Sequence, residues 1–100
     1  MDEAEVLRRI VAGVDALDPD VLEAEASADV VRLVFGDGRG DYVLSLQRPL
    51  AQIWLAGDAM AWHFAWEADR RAWIDRRGGD ELFAVLGRVL GERLGVPIRL

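Results

Sequence analysis

Two apolar stripes with helical spacing flank a long middle region that alternates like β-strands. The first stripe recurs at steps of three and four residues, as one face of an amphipathic helix does, and Pro19 predicts that this helix ends near Asp18. The second stripe follows Gly78 and Gly79, and Gly95 is its expected cap. The stripes comprise Val6, Leu7, Ile10, Val11, Val14 and Leu17, and then Leu82, Phe83, Leu86, Val89, Leu90 and Leu94. Both helices must bury one side against whatever lies between them.

Six short segments between the stripes have the β-branched or alternating composition of strands. They are residues 21–26, 30–35, 41–47, 51–56, 61–67 and 72–75, and residues 96–100 form an extended apolar tail. Strands joined by short turns pair antiparallel, and two helices on one face of such a sheet form a two-layer sandwich. The sequence therefore predicts one α+β domain over residues 1–100, with the other face of the sheet exposed to water.

The absence of Cys and the presence of a single His, His63, restrict the chemistry of the chain. Without Cys it can form no disulfide, zinc–thiolate site or Cys-ligated iron–sulfur cluster. Two serines and one His leave nucleophilic catalysis without its usual parts. No apolar run approaches the ~20 residues of a membrane span, and the acidic N-terminus is unlike a secretory or transit signal. These features predict a cytoplasmic protein that does not enter a membrane.

The negative charge of the chain is concentrated in its first third. The net charge is −6, and residues 1–29 carry nine acidic residues against Arg8 and Arg9, a balance of −7. The remaining residues are close to neutral. Such a field repels nucleic acid and favours cations or a basic partner surface. Arg70, Arg71, Arg76 and Arg77 form a local basic group that suits a solvated turn or an acidic partner.

Strand alternation directs Trp54 toward the solvent face of the sheet. If Ile53 and Leu55 face the helices, Trp54 faces water beside Gln52. An exposed indole leaves a large apolar area uncovered unless something binds over it.

The neighbouring strand extends this surface. Phe64 and Trp66 are expected to point inward, so His63 joins Trp54 outside, and Gln47 lies near the same surface. The pattern alone leaves two interpretations open. Either this is a contact face, or a loop covers Trp54 and His63 is an ordinary surface histidine.

Residues 46–56, LQRPLAQIWLA, resemble the signature strand of the frataxin family, which has a Gln, a Pro shortly after it, and then Gln-Ile/Val-Trp-Leu. The resemblance covers residues 20–95 and keeps the order of elements. The chain departs from the family pattern at Ser45, Leu46 and Ala51 and in the loop before Trp62. Further similar segments are residues 36–43, Trp62-His63-Phe64, and Trp73-Ile74-Asp75-Arg76 with Gly79, Glu81 and Leu82.

The resemblance implies a frataxin-like sandwich with an acidic ridge along the first helix and first strand. The matching carboxylates are candidate metal ligands: Asp15, Asp18, Asp20, Glu23 and Glu25. Carboxylate oxygens are hard ligands that suit Fe²⁺ and Fe³⁺. With no His or Cys among them, iron binding is expected to be weak and exchangeable. The alternative is a solvated acidic face that keeps the protein soluble.

By the same resemblance, the chain is expected to be an iron-binding accessory and regulator of iron–sulfur cluster assembly. Its expected partners are a cysteine desulfurase and the scaffold protein, with no nucleic acid and no membrane. Gln47, Gln52, Trp54 and His63 would form the partner contact, and a monomer that oligomerises with iron is compatible with the family. Two alternatives stay open: a metal-independent module that regulates the desulfurase, and a ferroxidase. The ferroxidase ranks third because the chain lacks the Glu-x-x-His pattern of di-iron sites.

Overall fold

Strand order follows sequence order throughout the computed structural model, which describes residues 1–100. Six antiparallel strands form one sheet in the order β1 to β6, with one helix before them and one after. This confirms the predicted two-layer α+β sandwich. The elements are α1 (Glu3–Asp15), β1 (Leu22–Ser27), β2 (Val30–Phe35), β3 (Tyr42–Gln47), a 3-10 turn (Arg48–Leu50), β4 (Gln52–Gly57), β5 (Met60–Glu67), β6 (Ala72–Asp75) and α2 (Leu82–Leu94).

Both helices begin at an acidic cap. The Asp2 carboxylate accepts a hydrogen bond from the Glu5 N–H at 2.8 Å, and the Glu81 carboxylate caps α2 in the same way. The first helix ends at Asp15, three residues before the predicted end, because Leu17 turns its N–H back to the Val14 carbonyl in a tighter turn. Neither helix is long and apolar enough to cross a membrane.

The core lies between the helices and the inner face of the sheet. Ile53, Leu55 and Phe64 are fully buried there, as strand alternation predicts. Trp66 occupies the same face of β5, which confirms its predicted inward direction, but it lies at the margin of the core and 40% of it is exposed. Its ring packs edge-on against Trp73 at a centroid distance of 5.8 Å. Trp66 lies where only the N-terminal ends of the helices reach the sheet, beside a shallow cavity of about 270 Å³.

Residues 96–100 lie between the two helices, where glycines make room for them. A Cβ atom on Gly13 of α1 would come 2.7 Å from the Leu100 side chain, and one on Gly87 of α2 would come 2.9 Å from the Ile98 carbonyl oxygen. Both tail side chains pack on the core. The glycines weaken their helices, but they allow the predicted apolar tail to close the layer of helices.

Candidate functional site

The open face of the sheet carries an aromatic pair in the row that crosses β3, β4 and β5. The register aligns Ser45 with Trp54 and Trp54 with His63. Trp54 and His63 are both half-buried. Their neighbours on this face include the small side chains of Ala56 and Ala61, so the two rings project beyond the surrounding surface. The predicted outward orientation of Trp54 and His63 is confirmed.

Two contacts fix the orientation of the Trp54 indole. Its Nε1–H donates a hydrogen bond to Gln52 Oε1 at 2.8 Å, and its ring stacks on the His63 imidazole with centroids 4.0 Å apart and planes 7° apart. The first partner lies two residues away on the same strand face, and the second is the directly opposed residue of the next strand. A ring held in this way loses little conformational freedom when a partner covers it.

Gln47 extends the same surface by one row. It lies opposite Gln52 in the register of β3 and β4, and its Nε2 donates to Ser45 Oγ at 3.1 Å. Ser45 is one of the positions at which the chain departs from the family pattern, and here it supports Gln47. The structure thus brings Gln47, Gln52, Trp54 and His63 together on one surface, which we call the contact face.

The five predicted metal ligands form a second surface, the acidic edge, which consists of Asp15, Asp18, Asp20, Glu23 and Glu25. Asp15 ends α1, Asp18 and Asp20 lie in the following turn, and both Glu residues point to the open face from β1. All five are exposed, and none forms an ion pair.

The carboxylates of the acidic edge stay separate. Asp18 Oδ1 accepts a hydrogen bond from the Asp20 N–H at 2.9 Å, which shapes the turn. No three acidic or His side chains converge closely enough to enclose a metal ion. The edge can attract cations along its length, but it offers no chelating cage.

A close backbone approach holds the turn of the acidic edge in place. The Gly36 N–H donates to the Val21 carbonyl at 3.0 Å. A Cβ atom on Gly36 would lie only 1.7 Å from the Asp20 carbonyl oxygen. Glycine is therefore required at the end of β2 so that the turn carrying Asp18 and Asp20 can pack against it.

Sequence reasoning missed a polar cluster around Arg93, at the C-terminal end of α2. Only 8% of the Arg93 side chain is exposed, and its guanidinium contacts Asp37 at 3.4 Å and Asp58 at 3.3 Å. It also donates to the Gly40 carbonyl at 3.3 Å and lies 4.0 Å from the centroid of the Phe35 ring. The one signal in the sequence is that Arg93 continues the apolar stripe of α2.

Tyr42 completes this group, which we call the Arg93 cluster (Asp37, Tyr42, Asp58 and Arg93). The Tyr42 hydroxyl donates to Asp58 Oδ2 at 2.8 Å. Burial, followed by this hydrogen bond to an anion, raises the pKa of Tyr42 to about 12. The hydrogen bond from Tyr42 lowers the pKa of Asp58, and the charge of Arg93 lowers it further. The cluster joins two turns of the sheet to α2.

Comparisons with known proteins agree with this architecture. The sequence matches the Frataxin-like domain family over residues 3–96. The iron-sulfur cluster assembly protein CyaY of Delftia acidovorans is 38% identical over 85 residues, which cover 85% of this chain and 74% of that protein. The CyaY protein of Thioalkalivibrio sulfidiphilus is 40% identical over 84 residues, which cover 84% of this chain and 73% of that protein.

A solved structure gives the same result for the fold. Frataxin from Psychromonas ingrahamii superposes with a TM-score of 0.82 at 20% sequence identity, covering 99% of this chain and 97% of that one. The family match spans nearly the whole chain, and the order of helices and strands agrees with it. The chain belongs to the frataxin-like family.

Proposed function

We propose that this chain serves iron–sulfur cluster assembly as an iron-binding accessory protein that docks on a cysteine desulfurase and its scaffold. The relatives that share over a third of its sequence are iron-sulfur cluster assembly proteins. The observation that carries the proposal is the acidic edge, because five exposed carboxylates there have no cationic partner within the chain. An accessory protein of this kind needs no Cys, and the chain has none.

Iron would bind the acidic edge as a hydrated, exchangeable ion. Carboxylate oxygens are hard ligands that accept Fe²⁺ and Fe³⁺. The spacing of Asp15, Asp18, Asp20, Glu23 and Glu25 provides one or two direct ligands at a time, so water would complete the coordination shell. Bound iron would also relieve the repulsion among these like charges. Weak binding of this type allows iron to be handed on.

The contact face would supply the second half of the docking surface. Trp54 is half-buried and already oriented by Gln52 and His63. Oriented aromatic side chains at the centre of an interface carry a large share of binding energy. The acidic edge would meet a basic surface of the desulfurase, while Trp54 and Gln47 would contact the scaffold.

An anaerobic Fe²⁺ titration followed by amide chemical shifts tests the iron proposal. Shifts are expected for residues 15–25, and the Glu23→Gln/Glu25→Gln variant should reduce them. The Glu67→Gln/Asp69→Asn variant removes the same charge from exposed positions at the opposite edge of the sheet and should leave them unchanged. If residues 15–25 do not respond at millimolar iron, the iron proposal is wrong.

Affinity for the cysteine desulfurase and its scaffold tests the contact face. Replacing Trp54 with Ala should weaken binding by about 30-fold or more, since such positions contribute at least about 2 kcal/mol to an interface. Trp66→Ala is the matched control, because it removes a partly exposed indole from the opposite face of the sheet. Equal effects of the two changes would contradict a specific role for Trp54.

A metal-independent regulator of the desulfurase is the second candidate function. It is favoured by the absence of any convergent group of three ligands at the acidic edge. In that case the carboxylates would act only as a charged docking surface, and the affinity for the desulfurase would be the same with and without a chelator. The iron titration and the affinity measurement together separate the two candidates.

A further inference from the structure

The outer edge of β1 carries backbone groups that the rest of the chain does not use. β1 pairs only with β2. A two-residue turn of Ala28 and Asp29 joins them, so Ser27 and Val30 exchange hydrogen bonds across the hairpin. Because hydrogen-bonded pairs alternate along an antiparallel ladder, Ala24 and Ala26 direct their N–H and C=O groups away from β2, toward solvent. No backbone hydrogen bond outside the helices and strand ladders involves Ala24 or Ala26. These groups are available to one further strand.

The opposite edge of the sheet is covered, which makes β1 the open one. Ile74 of β6 forms a bridge with Glu81, and the Asp75 N–H donates to the Asp80 carbonyl at 2.8 Å. Proteins usually protect an edge strand with Pro, a bulge or charged side chains. β1 contains no Pro and pairs in unbroken register, so Glu23 and Glu25 are its only protection.

Depressions on both faces of the sheet meet at Ala26. On the helix side, a groove of about 540 Å³ runs between α1 and the β1–β2 hairpin, and most of its lining is apolar, including Leu7 and Val11. On the open side, a depression of about 330 Å³ lies between Glu25 and Val30. The side chains of an added strand alternate between the two faces. One set would enter the apolar groove and the other would lie beside β1 on the open face.

Charge distinguishes the two sides of this edge. Glu23 and Glu25 are exposed on the open face, and Arg32 on the next strand is paired with Asp41 at 3.5 Å. The side chains that fit beside the two glutamates are therefore basic, and those that fit the groove are apolar.

We propose that β1 accepts an extended segment of a partner protein as a seventh strand, with basic residues alternating with apolar ones. This inference rests on the proposed function in one respect: it gives the mode by which a basic partner engages the acidic edge. Main-chain hydrogen bonds to Ala24 and Ala26 provide the attachment, and the alternation of side chains provides the selectivity.

A capped synthetic peptide of eight residues, alternating Arg and Val, tests the proposal against the labelled protein. Binding should shift the amides of β1 and of the groove-lining part of α1. A peptide of the same composition with all Arg residues before all Val residues should bind about tenfold more weakly, because it cannot fill both faces. Equal affinities would show charge attraction alone, and shifts confined to the contact face would show another site. Either result overturns the proposal, as does no binding at millimolar peptide.

Methylation of the peptide backbone tests strand pairing without changing the protein. Only every second N–H of an added strand faces β1. N-methylation of the Arg positions or of the Val positions should therefore weaken binding by about tenfold in one case and much less in the other. Equal effects of the two methylation patterns would rule out strand addition.

An edge variant supplies the matching change in the protein. Ala26→Pro removes an outward N–H that the ladder with β2 does not use, so the fold should tolerate it. It should weaken binding of the alternating peptide by about threefold to tenfold and leave the amide shifts caused by iron unchanged. If the peptide fails to bind while iron still shifts residues 15–25 and Trp54→Ala still weakens binding to the desulfurase and its scaffold, the inference fails and the proposed function stands.

Discussion

The acidic edge and the Arg93 cluster are built from the same kind of side chain and use it in opposite ways. In the Arg93 cluster, Asp37 and Asp58 are held by a buried guanidinium, and Asp58 also accepts a hydrogen bond from Tyr42. At the acidic edge, Asp15, Asp18 and their neighbours have no cationic partner. The fold uses the first set to join its elements, and it leaves the second set available to a ligand.

This difference shows where charge contributes to stability and where it serves binding. An arginine that is 8% exposed and bridges two turns acts in a region of reduced solvent screening. Carboxylates on an exposed edge interact mainly through screened repulsion. The comparison predicts that changes in the cluster affect the free energy of unfolding, whereas changes at the edge affect binding and leave stability nearly constant.

The largest effect is expected for Arg93→Met. The methionine can still pack on Phe35, but Asp37, Asp58 and the Gly40 carbonyl lose the hydrogen bonds from the guanidinium. Because Asp37 and Asp58 stay partly hydrated, we expect a loss of about 1–2 kcal/mol in the free energy of unfolding, measured by urea denaturation. Arg93→Lys is the control, since it keeps the charge but not the planar fork, and it should fall between wild type and Arg93→Met. If Arg93→Met lost less free energy of unfolding than Tyr42→Phe, the contrast between the Arg93 cluster and the acidic edge would not hold.

Tyr42→Phe should have an intermediate effect of about 1 kcal/mol, because it removes one hydrogen bond to a charged acceptor. The same variant should also change how the free energy of unfolding depends on pH in the alkaline range. The pKa of Tyr42 is raised to about 12 in the folded state, so its contribution is fully present below the ordinary value of 10 and is lost as the pH rises toward 12. Urea midpoints measured from pH 9 to 12 should fall more steeply for wild type than for Tyr42→Phe. Parallel curves would contradict this assignment.

A smaller effect is expected for Asp58→Asn, on the loss of folding stability at acid pH. The hydrogen bond from Tyr42 and the charge of Arg93 lower the pKa of Asp58 below its usual value of 3.8. A carboxyl group whose folded pKa is lowered stabilises the fold above its usual pKa, and this contribution is lost as the pH falls through the folded value. Asp58→Asn should therefore flatten the loss of stability between neutral pH and pH 2, as followed by thermal melts. If the loss of stability at acid pH were unchanged, the interactions of Asp58 with Tyr42 and Arg93 would contribute nothing to stability.

The smallest effect on stability is expected for neutralising the acidic edge with Asp15→Asn, Asp20→Asn, Glu23→Gln and Glu25→Gln together. Removing like charges relieves repulsion, so the free energy of unfolding should stay within about 0.5 kcal/mol of wild type or rise. The same variant should lose its amide response to Fe²⁺. A large loss of stability would place these carboxylates among the structural ones and remove the contrast with the Arg93 cluster.

The sequence predicts most of the sheet because strand alternation is a local signal. Ile53 and Leu55 face inward, and Trp54 faces outward, on the evidence of residues that are adjacent in the chain. The same alternation assigns Trp66 to the correct face but does not predict that 40% of it is exposed. Whether an inward side chain is covered depends on how far the helices extend, which is a property of the packed molecule.

The Arg93 cluster could not be predicted for a related reason. Its members come from two turns and a helix, and Arg93 is 35 residues from Asp58 and 56 residues from Asp37. Only the packed arrangement of α2 on the sheet brings these groups together. Likewise, Gly13 appears in the sequence as a weak point of a helix, and only the position of Leu100 explains it. The contact face was predictable because its members lie on neighbouring strands at fixed register.

The strict succession of neighbouring strands from β1 to β6 has a consequence for the folding pathway. Each pairing closes a short loop, and hairpins of this kind form within about 1–10 μs. The distant ends of the chain meet where the C-terminal tail packs on α1. Leu100 lies against Gly13, and Arg9 bonds to the Leu100 carbonyl across 91 residues. Closing that large loop costs more entropy than any strand pairing. We therefore expect the hairpins to be formed in the rate-limiting transition state, and the docking of the two helices and the tail to complete the native structure afterwards.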